Sequence, residues 1–174
     1  MTTSEFPRPL RLDMLGEAPH AVTLHADAEE RAALARRFAI QAIDRLDVTA
    51  QVRREGATAF AEGRVTADVV QNCAVTGVPL PTTVEEPFQL RFVAETAGDP
   101  AEEIELSAED CDTLTYAGGA IDLGEAAAET LLLALDPFPR APDADVALKE
   151  AGVVGEEAVG PFAALKALKD KLSG

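Results

Sequence analysis

Polar and apolar residues alternate most clearly in the middle of the chain. Leu46, Val48, Ala50 and Val52 alternate with Asp47, Thr49, Gln51 and Arg53, the period-two pattern of a half-buried strand. Gly56 allows a turn into a second strand over 57–72, bent near Gly63, with Val65, Ala67 and Val69 on one face. A third strand spans 82–93, where Phe88, Leu90 and Phe92 alternate with Gln89 and Arg91. The connection 73–81 holds Gly77, Pro79 and Pro81. Three such stretches joined by short turns predict an antiparallel meander with one packed face. The third strand, bearing the bulkiest apolar face, is expected at its centre.

Helix signals flank this region. Asp27 with Glu30 three residues on has the spacing of a capping box, and a helix is expected to about Ala39, with Leu34 and Phe38 inward and Arg31, Arg36 and Arg37 toward water. Asp122 with Glu125 starts a second helix that runs to Leu135. Its leucines 131, 132, 133 and 135 cover more than one face, which predicts burial on several sides. Pro137 and Pro139 force an extended exit. Leu10, Leu12 and Met14 suggest a short extended segment, and Ile104/Leu106 and Leu114/Tyr116 suggest minor strands. The expected fold is α+β: an antiparallel meander sheet within 42–116, two main helices near 28–39 and 123–135, and a short C-terminal amphipathic helix. Residues 1–139 form the domain, with an acidic loop at about 95–112. Residues 140–160 read as a flexible acidic linker. In 161–174, Pro161 suits a helix start, and Phe162, Leu165, Leu168 and Leu172 share a face.

Charge alters the functional outlook. The 174 residues carry a formal net charge of −16, and the imbalance is uneven: −3 over residues 1–94 and −13 over 95–174. DNA binding and general phosphate binding need an excess of Lys and Arg and are disfavoured. No stretch approaches the roughly 18 apolar residues of a membrane helix. The N-terminus lacks the apolar core of a secretory signal, which points to the cytoplasm. In that compartment Cys73 and Cys111 are expected as free packing thiols, although a disulfide between them stays open in principle.

The chain lacks familiar catalytic patterns. None of its serines, Ser4, Ser107 and Ser173, lies in a nucleophile elbow. His20 and His25 read as exposed loop residues before the first helix. Gly118-Gly119 is not followed by a phosphate-loop Lys, and Asp110-Cys-Asp112 lacks the later oxygen ligands of a calcium loop. Two Cys and two His do not assemble a zinc site. No catalytic residue, metal or cofactor is therefore expected. Glu85-Glu86-Pro87, ahead of Phe88, reads either as a strand-entry corner or as an acidic recognition edge. Arg53, Arg54 and Arg91, together with Arg31, Arg36 and Arg37, are the candidates for an RNA-facing surface, against the alternative of a solvated mixed-charge face.

Three segments carry a resemblance. The stretch 69–93, with Cys73, Thr76, Glu85, Glu86, Pro87 and Phe88, resembles the core of the YceD family of large ribosomal RNA subunit accumulation proteins. The stretch 121–140, with Asp122, Glu129, Pro137 and Pro139, resembles the family's acid-capped helix and proline-containing exit. The tail from Pro161 resembles the end of the alphaproteobacterial branch. In order and spacing the likeness covers about residues 8–172. It implies a bacterial, non-enzymatic factor for accumulation or processing of large-subunit (23S) ribosomal RNA. The expected partner is a basic ribosomal protein or a pre-ribosomal particle, with direct RNA contact as the alternative. Many members carry Cys-x-x-Cys where this chain has Cys73 and Thr76, and further cysteines near Pro142, which puts any metal or redox role in doubt here.

Overall fold

Alternation and capping translate directly into elements. The computed structural model describes residues 4–95 and 112–152. In chain order these form β1 (Pro9–Arg11), a 3-10 turn (Leu12–Met14), β2 (His20–His25), α1 (Ala28–Arg37), β3 (Ala42–Glu55), β4 (Thr58–Asn72), β5 (Pro79–Ala94), β6 (Asp112–Tyr116), β7 (Ala120–Asp122), α2 (Leu123–Ala134) and α3 (Ala144–Glu150). They belong to two units, Met1–Gln71 with Pro81–Pro137, and Asn72–Leu80 with Phe138–Gly174.

The larger unit is α+β. Its main sheet has the order β2-β3-β4-β5-β6, and β1 pairs with β7 in a separate two-stranded ribbon. β3 pairs antiparallel with β2 and β4. β6 departs from the expected meander, since it lies parallel to β5 in the register Leu90 with Asp112 through Ala94 with Tyr116. Parallel neighbours need a long connection, and residues 95–111 supply one. The strand expected at the centre, β5, is fourth of five; β4 holds the middle. β2 was not expected, and it places His20 opposite Val52 and His25 opposite Asp47 in a ladder rather than in a loop. The extended segment expected over 6–14 shrinks to β1, and Met14 is exposed.

One face of the sheet makes the core. Leu46, Val48 and Val52 of β3, Val65, Ala67 and Val69 of β4, and Phe88, Leu90 and Phe92 of β5 are buried with Leu34 of α1 and Ala126, Ala127, Ala128 and Leu131 of α2. Small residues let the layers close. At Gly63, opposite Ala50, an added Cβ would stand 2.2 Å from the Thr49 carbonyl oxygen and 2.8 Å from the Phe88 ring. That ring therefore fills the space a side chain on β4 would take. α2 is buried on several sides over its first turns, where Leu123, Gly124, Ala126, Ala127 and Ala128 are all buried, as expected, but not at its end, where Leu131 is inaccessible and Leu133 is 83% exposed.

The helix starts are tied to the N-terminal segment. The expected capping box at α1 is present, with the Asp27 carboxylate accepting from the Glu29 and Glu30 amides and Glu30 accepting from the Asp27 amide. Asp122 caps α2 by accepting from the Glu125 amide. Asp122 also accepts the Arg8 amide at 2.9 Å, while the Arg8 guanidinium donates to both oxygens of Glu30 at 2.7 and 2.8 Å. At Gly124, in the first turn of α2, a Cβ would fall 2.0 Å from the Phe6 carbonyl oxygen.

In the smaller unit Cys73, Ala141 and Ala144 form a buried cluster with Val75 and Leu80. Residues 144–150, within the stretch expected as a linker, form α3. The acidic excursion over 96–111, the strand expected at Ile104/Leu106 and the tail helix at 161–174 lie outside the described residues.

Two substitutions test the layer contact at Gly63. Phe88→Ala should destabilise the domain by about 3–5 kcal/mol through an unfilled cavity. Gly63→Ala should cost about 1–3 kcal/mol or more, because the atom it meets is backbone. Denaturant unfolding reads both, and a change of under about 0.5 kcal/mol in either would place the Phe88 ring elsewhere.

Candidate functional site

The arginines singled out by sequence do not form one cluster: of them the outer face of the sheet carries Arg53 and Arg91, while Arg31, Arg36 and Arg37 belong to α1. Alternation along β3 puts Arg53 on the outer face and Arg54 on the opposite side. Arg53 pairs with Glu55, and its guanidinium lies 4.4 Å from the centre of the Phe60 ring. Arg54 turns the other way and donates to the Gly56 and Leu12 carbonyls. Arg91, on the outer side of β5, is half-buried. The rest of the outer face is a mixed lattice. Arg45 pairs with Asp68 at 2.8 Å and with Asp47 at 3.5 Å, His25 hydrogen-bonds Asp47, and Arg64 pairs with Glu85. The hydrogen bond from Arg45, helped by one from Thr83, holds the Asp68 carboxyl below its usual range.

Glu85 and Glu86, a single motif in sequence, face opposite ways by the same alternation. Glu85 joins the outer lattice. Glu86 lines a groove on the helix side, about 400 Å³ in volume, whose walls are Glu86, Pro87, Phe88 and Gln89 of β5, Asp112 at the start of β6, and Thr130, Leu133 and Ala134 of α2. Among the described residues no Lys or Arg lines it. Glu129 stands one turn before Leu133, and neighbours at this spacing share a helix face. The last turn of α2 holds no basic residue, and the helix C-terminus adds partial negative charge. Sequence reasoning named Glu86, Pro87, Phe88 and Glu129 but not Leu133, which it had assigned to the core; only the tertiary packing of α2 exposes it. Asp122, the α2 cap, and Pro137, just past α2, act on the helix ends rather than in this groove.

Cys73 and Thr76 lie together in the smaller unit. Cys73 opens the turn between β4 and β5, with Gly77 at φ +73° and its amide donating to the Cys73 carbonyl. The Ala74 amide donates to the Pro139 carbonyl, so Pro139 borders the same turn. The Cys73 sulfur is buried and accepts from the Ala141 amide at 3.3 Å and the Thr76 amide at 3.4 Å. The Thr76 side chain and these amides lower the Cys73 thiol from 9.0 to about 6, as donors aimed at an anion do. Cys73 is a free thiol; Cys111 lies outside the described residues. Among the described residues no group of three or more His, Cys, Asp or Glu is placed to hold a metal, and no helix is long and apolar enough to cross a membrane.

The larger unit is thus a layered α+β domain with ion pairs across its outer sheet face and a groove on the helix side bordered by Glu86, Asp112 and Leu133. The chain belongs to the YceD family: the model of that family, described as large ribosomal RNA subunit accumulation protein YceD, matches residues 61–169, more than half of the chain. No curated protein and no solved structure matches it.

The thiol gives a direct check of the turn geometry. In a Cys111→Ser background, thiolate ultraviolet absorbance should titrate near pH 6, and Thr76→Val should raise that midpoint. Because the folded thiol is the more acidic, this group's contribution to stability is complete above about pH 9 and is lost as pH falls through about 6. A midpoint near that of a free cysteine would contradict the hydrogen bonding at Cys73.

Proposed function

We propose that the protein is a non-enzymatic, cytoplasmic factor that supports accumulation or processing of large-subunit (23S) ribosomal RNA by binding a basic ribosomal protein or an assembly intermediate. Family membership supports the ribosomal RNA role. The observation that carries the partner is the groove at Glu86 and Asp112, acidic at its rim and without a cation among the described residues of its walls, in a chain of net charge −16. Complementary charge of this kind speeds encounter and selects partners. Cys73, Thr76, Pro137 and Pro139 serve this reading as structural positions, Glu86, Phe88 and Glu129 belong to or border the recognition surface, and Glu85 stays with the outer lattice.

Direct RNA contact is the second reading. It draws on Arg53 over Phe60, beside Gln51 and Gln89 in a depression of about 210 Å³. An aromatic ring and a guanidinium on a sheet face suit a stacked base. Against it, Glu55, Glu62 and Glu85 share that face and repel phosphates.

Depleting the protein from growing cells should lower mature large-subunit ribosomal RNA relative to small-subunit RNA in gradient and RNA profiles. An unchanged ratio would refute the ribosomal role. For the second reading, binding to a ribosomal RNA fragment should weaken with salt and after Arg53→Ala, and binding indifferent to both would exclude a phosphate-driven mode.

A further inference from the structure

The depression around Arg53 has a chemistry that narrows what it can hold, granted the RNA-contact reading above. It lies on β3, β4 and β5, with Pro19 ahead of β2 at its margin, so it depends on neither edge of the sheet. Arg53 stands opposite Phe60 in the β3–β4 ladder, and two residues along Gln51 stands opposite Glu62. Arg53 and Phe60 are half-buried, and the guanidinium is held over the ring and paired with Glu55. A guanidinium fixed in this way is a planar plate of the kind on which bases stack. Gln51, Glu62 and Gln89 are exposed along the sides. Each carboxamide both donates and accepts, whereas the carboxylate only accepts. Glu62 has no ion pair among the described residues, while Glu55 and Glu85 on the same face are matched by Arg53 and Arg64. The volume, about 210 Å³, is below the roughly 300–1,000 Å³ of sites that enclose whole small molecules. It therefore suits one ring system presented by a larger molecule.

We propose that the depression takes a single unpaired guanine of an RNA strand, stacked on the Arg53 guanidinium. Glu62 accepts from the adjacent N1–H and N2–H donors of the base, and Gln51 or Gln89 donates to its O6 or N7. Guanine alone among the four RNA bases has two neighbouring donors on its Watson–Crick edge. Adenine and cytosine set an acceptor beside the amino group, and uracil has acceptors on both sides of its N3–H. A carboxylate, which only accepts, therefore selects guanine. The carboxylates that repel phosphates on this face do not act against a neutral base, so the base enters and the phosphates stay outside. The contact selects a base in an RNA brought by the assembly intermediate; it does not supply the bulk of the affinity.

The probe is a short oligouridine RNA with one central guanosine, titrated into the full-length protein and followed by backbone amide chemical shifts. Shifts should concentrate on residues 51–53, 60–62 and 89–90. Replacing the guanosine by adenosine or uridine should weaken binding at least about fivefold, the low end of the discrimination given by a two-bond base contact. Glu62→Gln should abolish the preference for guanosine. Arg53→Lys keeps the charge but loses the plane, and it should weaken binding about as much as Arg53→Ala, with circular dichroism unchanged in all three variants. The proposal is overturned by shifts elsewhere, by a preference unchanged in Glu62→Gln, or by full binding in Arg53→Lys. It is also overturned if free guanosine monophosphate binds more tightly than the RNA, or if an Arg-rich peptide shifts these residues and RNA does not. RNA that binds without regard to base overturns the guanine site and leaves direct RNA contact standing. Absence of binding by every RNA, a ribosomal RNA fragment included, overturns both.

Discussion

Arg8 sets the start of both main helices. Its amide binds Asp122, the cap of α2, and its guanidinium grips both oxygens of Glu30, the returning half of the α1 capping box. Charge-assisted, two-pronged hydrogen bonds of this kind are directional as well as strong, and the Arg8 hydrogen bond holds the Glu30 carboxyl below its usual range. Phe6, wholly buried, lies under the Arg8 guanidinium, and its carbonyl oxygen occupies the space that Gly124 leaves open in α2. Arg37 repeats the arrangement further along α1 by pairing with Glu5 and with Glu125 of α2. The groove inherits its shape from this clasp, since the position of Leu133 follows from where α2 begins. The N-terminal residues precede the part matched by the family model, yet they orient a helix within it.

Electrostatics divide the surface by function. On the outer sheet face Asp47, Asp68, Glu55 and Glu85 are matched by arginines or by His25, so most of the local field is cancelled there. Exposed pairs of this type add little stability individually; their consequence is neutrality. The groove on the helix side has no such matching among the described residues. The two sides of β5 differ in the same way: Glu85 pairs with Arg64 on the outer side, whereas no Lys or Arg among the described residues lines the groove at Glu86 on the other.

Local chemistry was legible in the sequence wherever neighbours in the chain decide the outcome. Both acid caps, the turn at Gly56 and the three alternating strands are set within a few residues, and they stand where the pattern put them. The parallel pairing of β6 and the off-centre place of β5 depend on partners distant in sequence. β2 offered only Val22 and Leu24 on one face between two histidines, too short a run to distinguish from a loop. The exposure of Leu133 was hidden because periodicity counts apolar residues without knowing how many sides of a helix are covered. The separation of Arg53 from Arg54, and of Glu85 from Glu86, could have been read in advance: strand period alone sends adjacent residues to opposite faces.

Under the proposed function this YceD-family protein acts on large-subunit ribosomal RNA through a basic protein partner rather than by gripping RNA. Affinity purification from growing cells, split into nuclease-treated and untreated halves with protein and RNA both quantified, tests it most directly. The account predicts that one basic ribosomal protein stays bound in equal amount after nuclease treatment and is lost at high salt. Loss of every ribosomal protein on nuclease treatment, with RNA bound in its absence, would contradict it.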